Sequence, residues 1–258
     1  MTLPERRAAE RPPLPAFGCD WALFLDIDGT LLEIAATPGE VHADRADYKL
    51  MAAVRDAAGG AAALISGRGL TVIDELFHPL KMPAAGLHGV ERRDAKGEVH
   101  RPPYPFEALQ RAAASLREFA ALHEGLVLEN KGYSLALHYR LAPQLEQAAH
   151  LRVLEAAKSL GDWVEVQGGK MVAELKPAGR NKGSAIEEFM REPPFAGRVP
   201  VFIGDDLTDE YGFQVVNRLG GHSIKVGPEP TAATWRIKDP RSVRAWLRDW
   251  VRHCSASA

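Results

Sequence analysis

Short runs of consecutive apolar residues alternate with helically spaced apolar positions in the first hundred residues, and the alternation returns after residue 179. The runs predict strands buried on both faces, and the spaced positions predict helices that pack on a sheet. The predicted strands are residues 22–25, 61–65, 83–87, 199–203 and 223–226. The predicted helices are residues 44–58, 71–77, 181–190, a helix ending at 219, and 240–251. This order predicts an α/β fold with a right-handed parallel sheet.

The stretch between the two halves has a different pattern. After three prolines near residue 103, helical spacing over residues 106–122 and 143–160 frames two hairpin signals, at Lys131-Gly132 and Gly168-Gly169. We therefore predict a core of residues 1–100 and 179–258 with an inserted α-β-β-α-β-β module at 101–178. In the module, polar residues occupy alternate positions of the predicted strands, so their side chains should lie on one face of the sheet. They are Glu129, Lys131, His138, Arg140, Lys170, Glu174 and Lys176. A plain solvated sheet face has the same pattern, so a binding surface and a solvated face both remain open.

Composition narrows the class of protein. The 258 residues are 46% hydrophobic and 26% charged with a formal net charge of -2, which is typical of a globular protein and lacks the basic excess of nucleic-acid binders. No apolar run approaches the length of a membrane-spanning helix. Residues 1–15 are charged and proline-rich, so we expect a loose arm there and not a signal peptide. Cys19 and Cys254 lie near opposite ends of the sequence, so we expect neither a disulfide nor a zinc site. This cysteine content fits a cytoplasmic protein. We also expect the protein to be a monomer.

The candidate chemistry lies where the predicted strands end. Asp26 and Asp28 follow the first strand, Ser66 follows the second, and Lys182 opens a helix. Asp205, Asp206 and Asp209 follow the strand at 199–203. Because the carboxyl ends of parallel strands meet at one edge, these acids should converge and require a cation, for which oxygen ligands favour Mg²⁺. A lysine and a hydroxyl beside them predict phosphoryl transfer to a carboxylate nucleophile.

Some of these residues have simpler explanations. Ser66 could cap a helix, Lys182 could be a solvated lysine of a first helical turn, and Asp209 could be an N-cap. The spacing of the residues does not choose between these roles and catalysis.

Together the stretches D-I-D-G-T, Ser66, K-G and G-D-D-L-T-D resemble the four motifs of the haloacid dehalogenase superfamily of phosphatases, which implies its Rossmann-like core and inserted cap. The resemblance implies that Asp26 is the nucleophile and a Mg²⁺ ligand. Asp28 would be the general acid and base, with its main-chain carbonyl on the metal. Ser66 and Lys182 would hold the phosphoryl group. Asp205 would complete the metal site with Asp206, and Asp209 would support it.

Further stretches resemble trehalose-6-phosphate phosphatases in particular. They include Gly86-Leu87-His88-Gly89 with Glu91, and His138-Tyr139-Arg140. This resemblance implies a small-molecule substrate, trehalose 6-phosphate, with no nucleic-acid or membrane partner. The substrate-binding residues it implies are Gly67, Arg68, His88, Glu129, Lys131, Arg140, Lys170 and Glu174. A phosphatase of a sucrose or mannosyl phosphate, a phosphomutase and a non-catalytic carbohydrate-binding regulator remain the alternatives.

Overall fold

A computed structural model of the chain describes residues 14–34, 40–101, 103–169 and 171–256, so most of the predicted N-terminal arm and Lys170 lie outside the described residues. The chain forms two compact units, one of Met1–His100 with Asn181–Ala258 and one of Arg101–Arg180.

The first unit is built on an eight-stranded sheet in the order β12-β11-β10-β1-β2-β3-β4-β5. The strands are β1 (Trp21–Leu25), β2 (Ala62–Ile65), β3 (Ala84–Gly86), β4 (Glu91–Arg93), β5 (Val99–His100), β10 (Val199–Gly204), β11 (His222–Val226) and β12 (Trp235–Ile237). From β12 to β3 every pair is parallel, which confirms the predicted α/β sheet. All five residues of β1 are buried, as a central strand covered on both faces requires.

Helices of the first unit cover this sheet. They are α1 (Arg45–Ala57), α2 (Leu70–Leu76), α5 (Lys182–Met190), α6 (Glu210–Arg218) and α7 (Pro240–Ser255). Asp44 caps α1 and Asn181 caps α5, each through a reciprocal capping box that satisfies backbone N–H groups left open at a helix start. The cap at Asn181 fixes where α5 begins, and therefore where Lys182 lies.

The sequence pattern missed three strands of this sheet. β4 and β5 form an antiparallel hairpin at one edge, and β12 adds a parallel strand at the other. β4 escaped prediction because its sequence, Glu-Arg-Arg, is charged, yet all three residues are buried. β5 and β12 are two and three residues long, which is too short to show the alternation of apolar and polar residues that predicts a strand.

The second unit has a four-stranded antiparallel sheet in the order β6-β7-β9-β8. The strands are β6 (Val127–Asn130), β7 (Leu135–His138), β8 (Val164–Gly169) and β9 (Val172–Pro177), and the helices are α3 (Phe106–Ala121) and α4 (Glu146–Lys158). Along β9, Ala173 and Leu175 are buried while Glu174 and Lys176 are half-buried, so the strand has one apolar and one polar face.

The predicted turn at Gly168-Gly169 is wrong. Both glycines continue β8 and pair with Ala173 and Val172, so the strand turns after residue 169. Met171 has a φ of 62°, and this left-handed conformation reverses the chain without a glycine at that position.

The prediction of two unpaired cysteines is also wrong. Cys19 and Cys254 form a disulfide, with 5.4 Å between their Cα atoms despite a sequence separation of 235. The two positions meet because α7 packs on the strand that follows Cys19: the Trp21 ring stacks 5.7 Å from Trp246 and 6.2 Å from Trp250. Position along the chain carries no information about this contact. Among the described residues, no helix is long and apolar enough to cross a bilayer.

Candidate active site

Asp26 lies at the carboxyl end of β1, directly beyond a strand whose five residues are all buried. Its backbone N–H still donates to the Ile203 carbonyl at 3.0 Å, so the residue belongs to the sheet and its side chain leaves from a fixed point. The next turn depends on Gly29, whose φ is 76° and where a Cβ would lie 2.2 Å from Asp205 Oδ2. Glycine thus allows the backbone to approach the acids of the neighbouring strand.

Through its ammonium group, Lys182 supplies positive charge beside the acids at this edge of the sheet. It is 2% exposed, and its Nζ lies 2.9 Å from Asp26 Oδ1 and 2.6 Å from Asp209 Oδ1. Burial alone would lower the pKa of Lys182, but the adjacent carboxylates outweigh burial and raise it. The lysine is therefore a permanent positive charge and not a proton donor.

Burial raises the pKa values of the acids around Lys182. Desolvation, opposed by Lys182, raises the pKa of Asp26 to about 7, and burial together with Asp26 raises that of Asp209 to about 7. Burial and the neighbouring Asp209 raise the pKa of Asp205 to about 6. One lysine therefore does not balance the negative charge gathered here.

Asp209 also organises the loop that carries the other acids. Its Oδ2 accepts from the backbone N–H groups of Asp205 and Asp206, both at 2.9 Å, while its Oδ1 accepts from Lys182. The Asp206 carboxylate accepts from Thr208 N and Oγ1 at 2.7 and 2.6 Å, so it caps the turn that follows. Burial would raise the pKa of Asp206, but Lys182 and these hydrogen bonds hold it below its usual value.

Two residues next to Asp205 were not predicted as part of the site. Thr30 is fully buried and its Oγ1 donates to Asp205 Oδ1 at 3.1 Å, and the ammonium of Lys225 donates to the Asp205 carbonyl. Lys225 lies inside β11 and is 3% exposed. A lysine within a buried strand requires a partner, so its position in the strand predicted at residues 223–226 was a signal that the sequence offered.

Asp28 is held by Arg68 and not by the acid cluster. Arg68 donates from Nε and Nη2 to the two Asp28 carboxylate oxygens, both at 2.7 Å, in a bidentate pair that raises the pKa of the guanidinium. Arg68 N also donates to Ser66 Oγ at 3.1 Å. The structure therefore brings the predicted residues Ser66 and Arg68 to Asp28 through one short loop.

His88 packs on this loop. A Cβ at Gly67 would lie 2.7 Å from the His88 ring, and His88 N donates to the Ser66 carbonyl at 3.0 Å. Leu87 and His88 have φ values of 50° and 55°, an uncommon conformation for residues with side chains. Such backbone geometry is concentrated at functional sites.

Within the second unit, three of the predicted substrate-binding residues lie together. Lys131 Nζ is 3.2 Å from Glu174 Oε1 and 3.9 Å from Glu129 Oε2. The register places both glutamates opposite Ala136 of β7, so a small residue lies between two acids on one face of the sheet. Exposed pairs of this kind add little stability, and they leave several donors and acceptors open to a ligand.

Ser134 and His138 extend this trio, although the sequence did not mark them as site residues. Ser134 Oγ donates to Glu174 Oε1 at 3.1 Å, and His138 Nε2 lies 3.0 Å from Glu129 Oε2. Arg140 lies apart from the trio, beyond the end of β7, and is exposed.

The carboxylates of the first unit fit a divalent cation. Carboxylate oxygens of Asp26, Asp205 and Asp209 lie within 4.8 Å of one another. Burial raises the pKa values of all three carboxyl groups, neighbouring carboxylates raise them further, and an all-oxygen donor set suits a hard ion such as Mg²⁺. Asp26 and Asp205 are the better candidate ligands, because Lys182 and two backbone N–H groups already occupy Asp209.

Asp26 lies beyond a central strand of a parallel sheet, and the buried Lys182 contacts it. The loop with Asp205, Asp206 and Asp209 lies beyond the neighbouring strand. This fold and site are those of a phosphatase of the haloacid dehalogenase superfamily. A family model described as trehalose-phosphatase matches residues 24–243. The chain is 43% identical over 233 residues to the trehalose-6-phosphate phosphatase of Escherichia coli K12, covering 90% of this chain and 87% of that protein.

Two further comparisons agree. The chain is 46% identical over 218 residues to a probable trehalose-phosphate phosphatase of Sinorhizobium fredii, covering 83% of this chain and 80% of the relative. A crystal structure of a trehalose-6-phosphate phosphatase related protein superposes with a TM-score of 0.73 at 28% identity, covering 92% of this chain and 99% of that one. The chain belongs to the trehalose-phosphatase family.

Proposed function

We propose that the protein hydrolyses trehalose 6-phosphate to trehalose and phosphate, with Mg²⁺, through an aspartyl-phosphate on Asp26. The observation that carries the proposal is the Lys182 ammonium, 2.9 Å from Asp26 Oδ1 inside a cluster of buried acids. A phosphoryl group needs this combination of a carboxylate nucleophile and fixed positive charge.

In the first half of the reaction, a carboxylate oxygen of Asp26 attacks phosphorus and the bond from phosphorus to the sugar oxygen breaks. Asp28 gives its proton to that oxygen, so trehalose leaves as a neutral alcohol. The Arg68 pair on Asp28 must open for this proton transfer, because its two N–H donors occupy both carboxylate oxygens. Ser66 and Lys182 hold the phosphoryl oxygens while their charge is redistributed.

In the second half, a water molecule attacks phosphorus and the bond to Asp26 breaks. Asp28, now a carboxylate, takes the proton from that water, which restores both acids and releases phosphate. On the family resemblance, we assign to the metal Asp26, the main-chain carbonyl of Asp28, Asp205 and Asp206, with Asp209 in support. Of these, Asp26, Asp205 and Asp209 have carboxylate oxygens within 4.8 Å of one another. Bound Mg²⁺ would neutralise charge on the phosphoryl oxygens.

Residues 101–178 would form the cap that recognises the sugar, with residues 1–100 and 179–258 as the catalytic core. The Lys131 ammonium lies 3.2 Å from Glu174 and 3.9 Å from Glu129, so a donor lies between two acceptors, an arrangement that suits the hydroxyl groups of a neutral disaccharide. We assign Arg140, Lys170, Gly67, Arg68 and His88 to substrate binding as well, on the family resemblance.

The test is a panel of phosphate esters with the wild-type protein and Asp26→Asn. Phosphate release would be measured from trehalose 6-phosphate, sucrose 6-phosphate, a mannosyl phosphate and p-nitrophenyl phosphate, in Mg²⁺ and in EDTA. We expect trehalose 6-phosphate to exceed the other sugar esters in kcat/KM by about a hundredfold or more. We also expect loss of activity in EDTA and in the variant.

Other results would support the alternatives. Preference for another sugar would identify a sister phosphatase, and phosphate transferred to a second sugar would identify a mutase. Absence of hydrolysis across the panel would support a binding protein. We also propose a cytoplasmic monomer. Co-fractionation with a cytoplasmic marker enzyme and a single species of 28.2 kDa in solution would support it.

A further inference from the structure

Three consecutive charged residues of β4 are buried, an arrangement that the proposed reaction does not use. Glu91, Arg92 and Arg93 are 6%, 5% and 7% exposed. Charged side chains are almost never buried unless they are paired. Because neighbouring residues of a strand point to opposite faces, Glu91 and Arg93 share one face of the sheet and Arg92 has the other.

Both residues of the first face hold the same helix. Glu91 Oε1 accepts from Leu70 N, the first residue of α2, at 2.6 Å. Arg93 donates from Nη1 and Nη2 to the Asp74 carboxylate at 2.8 and 2.6 Å, one turn further along α2. The helix is therefore fastened at two points by one strand.

The Glu91 contact lies beside the loop that carries predicted active-site residues. We call residues 66–69 the Ser66 loop; it ends immediately before Leu70. Its backbone pairs with the neighbouring segment, since Leu87 N donates to Arg68 O at 3.0 Å. A Cβ at Gly86 would lie 2.8 Å from Arg68 O and 3.1 Å from Glu91 Oε1. The Ser66 loop and the Glu91 carboxylate therefore both pack directly on the backbone of Gly86.

We propose that Glu91 is a positioning residue that fixes the Ser66 loop, and through it Ser66 and Arg68, relative to Asp28. The proposal rests on the proposed function of those residues. Glu91 acts at the junction of loop and helix, where a shift of the Leu70 backbone would displace Ser66, which holds the phosphoryl group in the proposed reaction, together with Arg68. Asp74 and Arg93 hold the same helix without touching the loop, so they stabilise α2 and do not position the site.

This difference gives a matched pair of variants. Glu91→Ala should lower kcat for p-nitrophenyl phosphate by about tenfold to a hundredfold, because donors displaced by even 1 Å lose transition-state contacts. Asp74→Ala also breaks a buried contact to α2, so it should lower Tm while kcat remains that of the wild type. Glu91→Gln keeps an oxygen that can accept from Leu70 N and should recover most of kcat.

The variants should be assayed in Mg²⁺ well below their melting temperatures, with Tm measured in parallel. Equal kcat values in Glu91→Ala and Asp74→Ala would overturn the positioning role while leaving the proposed phosphatase intact. If Glu91→Ala does not fold, Gly86→Ala provides the second variant: it crowds Arg68 O and Glu91, and an unchanged kcat would again overturn the proposal. A wild-type protein inactive on every ester would instead overturn the proposed function, and this role with it.

Discussion

Removing the buried Lys182 ammonium should destabilise the protein by an amount that depends strongly on pH. Lys182→Met leaves the carboxyl groups of Asp26 and Asp209 buried without their cation, 2.9 and 2.6 Å from where Nζ was. Both groups then have to take up protons or remain as buried charges. Breaking a buried ion pair in this way costs about 3–5 kcal/mol.

The pH dependence follows from the two protonation states. In the unfolded chain these carboxyls ionise near 3.8, and in the fold their pKa values are already about 7 with the lysine present. Relative to the unfolded chain, keeping one such carboxyl neutral costs about 6 kcal/mol at pH 8 and about 2 kcal/mol at pH 5, at 1.36 kcal/mol per pKa unit. The wild type, with a pKa of about 7, already bears about 4 kcal/mol of this cost at pH 8 and nearly all of it at pH 5. The variant therefore loses a further ~1–2 kcal/mol for each of the two carboxyls at pH 8 and almost nothing more at pH 5. The folded state binds more protons than the unfolded state in this window, so stability falls as pH rises. We therefore expect losses of about 3–5 kcal/mol at pH 8 and less than about 2 kcal/mol at pH 5.

The measurement is urea unfolding in EDTA at pH 5 and pH 8, followed by tryptophan fluorescence. Four of the five tryptophans, all except Trp163, belong to the first unit, so the signal reports mainly on the unit that contains the site. Lys225→Met is the matched control, because that buried lysine donates to a neutral carbonyl and its loss should show little dependence on pH. Equal losses at both pH values in Lys182→Met would refute the reasoning.

The remaining predictions concern the nucleophile, the sugar, the metal and the disulfide. Asp26→Asn should lose turnover and keep its fold; a tenth of wild-type activity would contradict the assignment of the nucleophile. Glu174→Ala should lose far more activity on trehalose 6-phosphate than on p-nitrophenyl phosphate, and equal losses would make the residue structural. Mg²⁺ should raise Tm more at pH 8 than at pH 5.5, since the metal requires ionised Asp26 and Asp205; a pH-independent shift would argue against that ligand set. Cys254→Ser should lower the free energy of unfolding by about 2–4 kcal/mol, and reducing agent should produce the same change in the wild type and none in the variant.

The sequence predicted the parts of the site that are local in the chain. Asp26 and Asp28 follow a short apolar run and precede Gly29, a pattern that favours a strand covered on both faces, so the end of the strand could be predicted from the sequence. The cap of α5 at Asn181 was equally local, and it located Lys182.

The parts that the sequence did not predict depend on contacts between distant segments. Glu91, Arg92 and Arg93 form a charged triplet that no hydrophobic pattern marks as a buried strand. The pairing of Cys19 with Cys254 depends on how α7 packs against Trp21. Neither the spacing of apolar residues nor a sequence motif describes such contacts. A lysine inside a buried strand, such as Lys225, does indicate that it has a partner.

The place of β1 in the sheet also determines when the site can come into existence. On one side β1 pairs with β2, which is synthesised soon after it. On the other side it pairs with β10, which begins at residue 199 and is synthesised much later. As the chain leaves the ribosome, residues 101–180 are synthesised, and can fold as a contiguous stretch, before the second neighbour of β1 exists. A nascent chain that stops short of β10 has Asp26, the proposed nucleophile, and Lys182 but lacks Asp205, so activity should appear only near the end of translation.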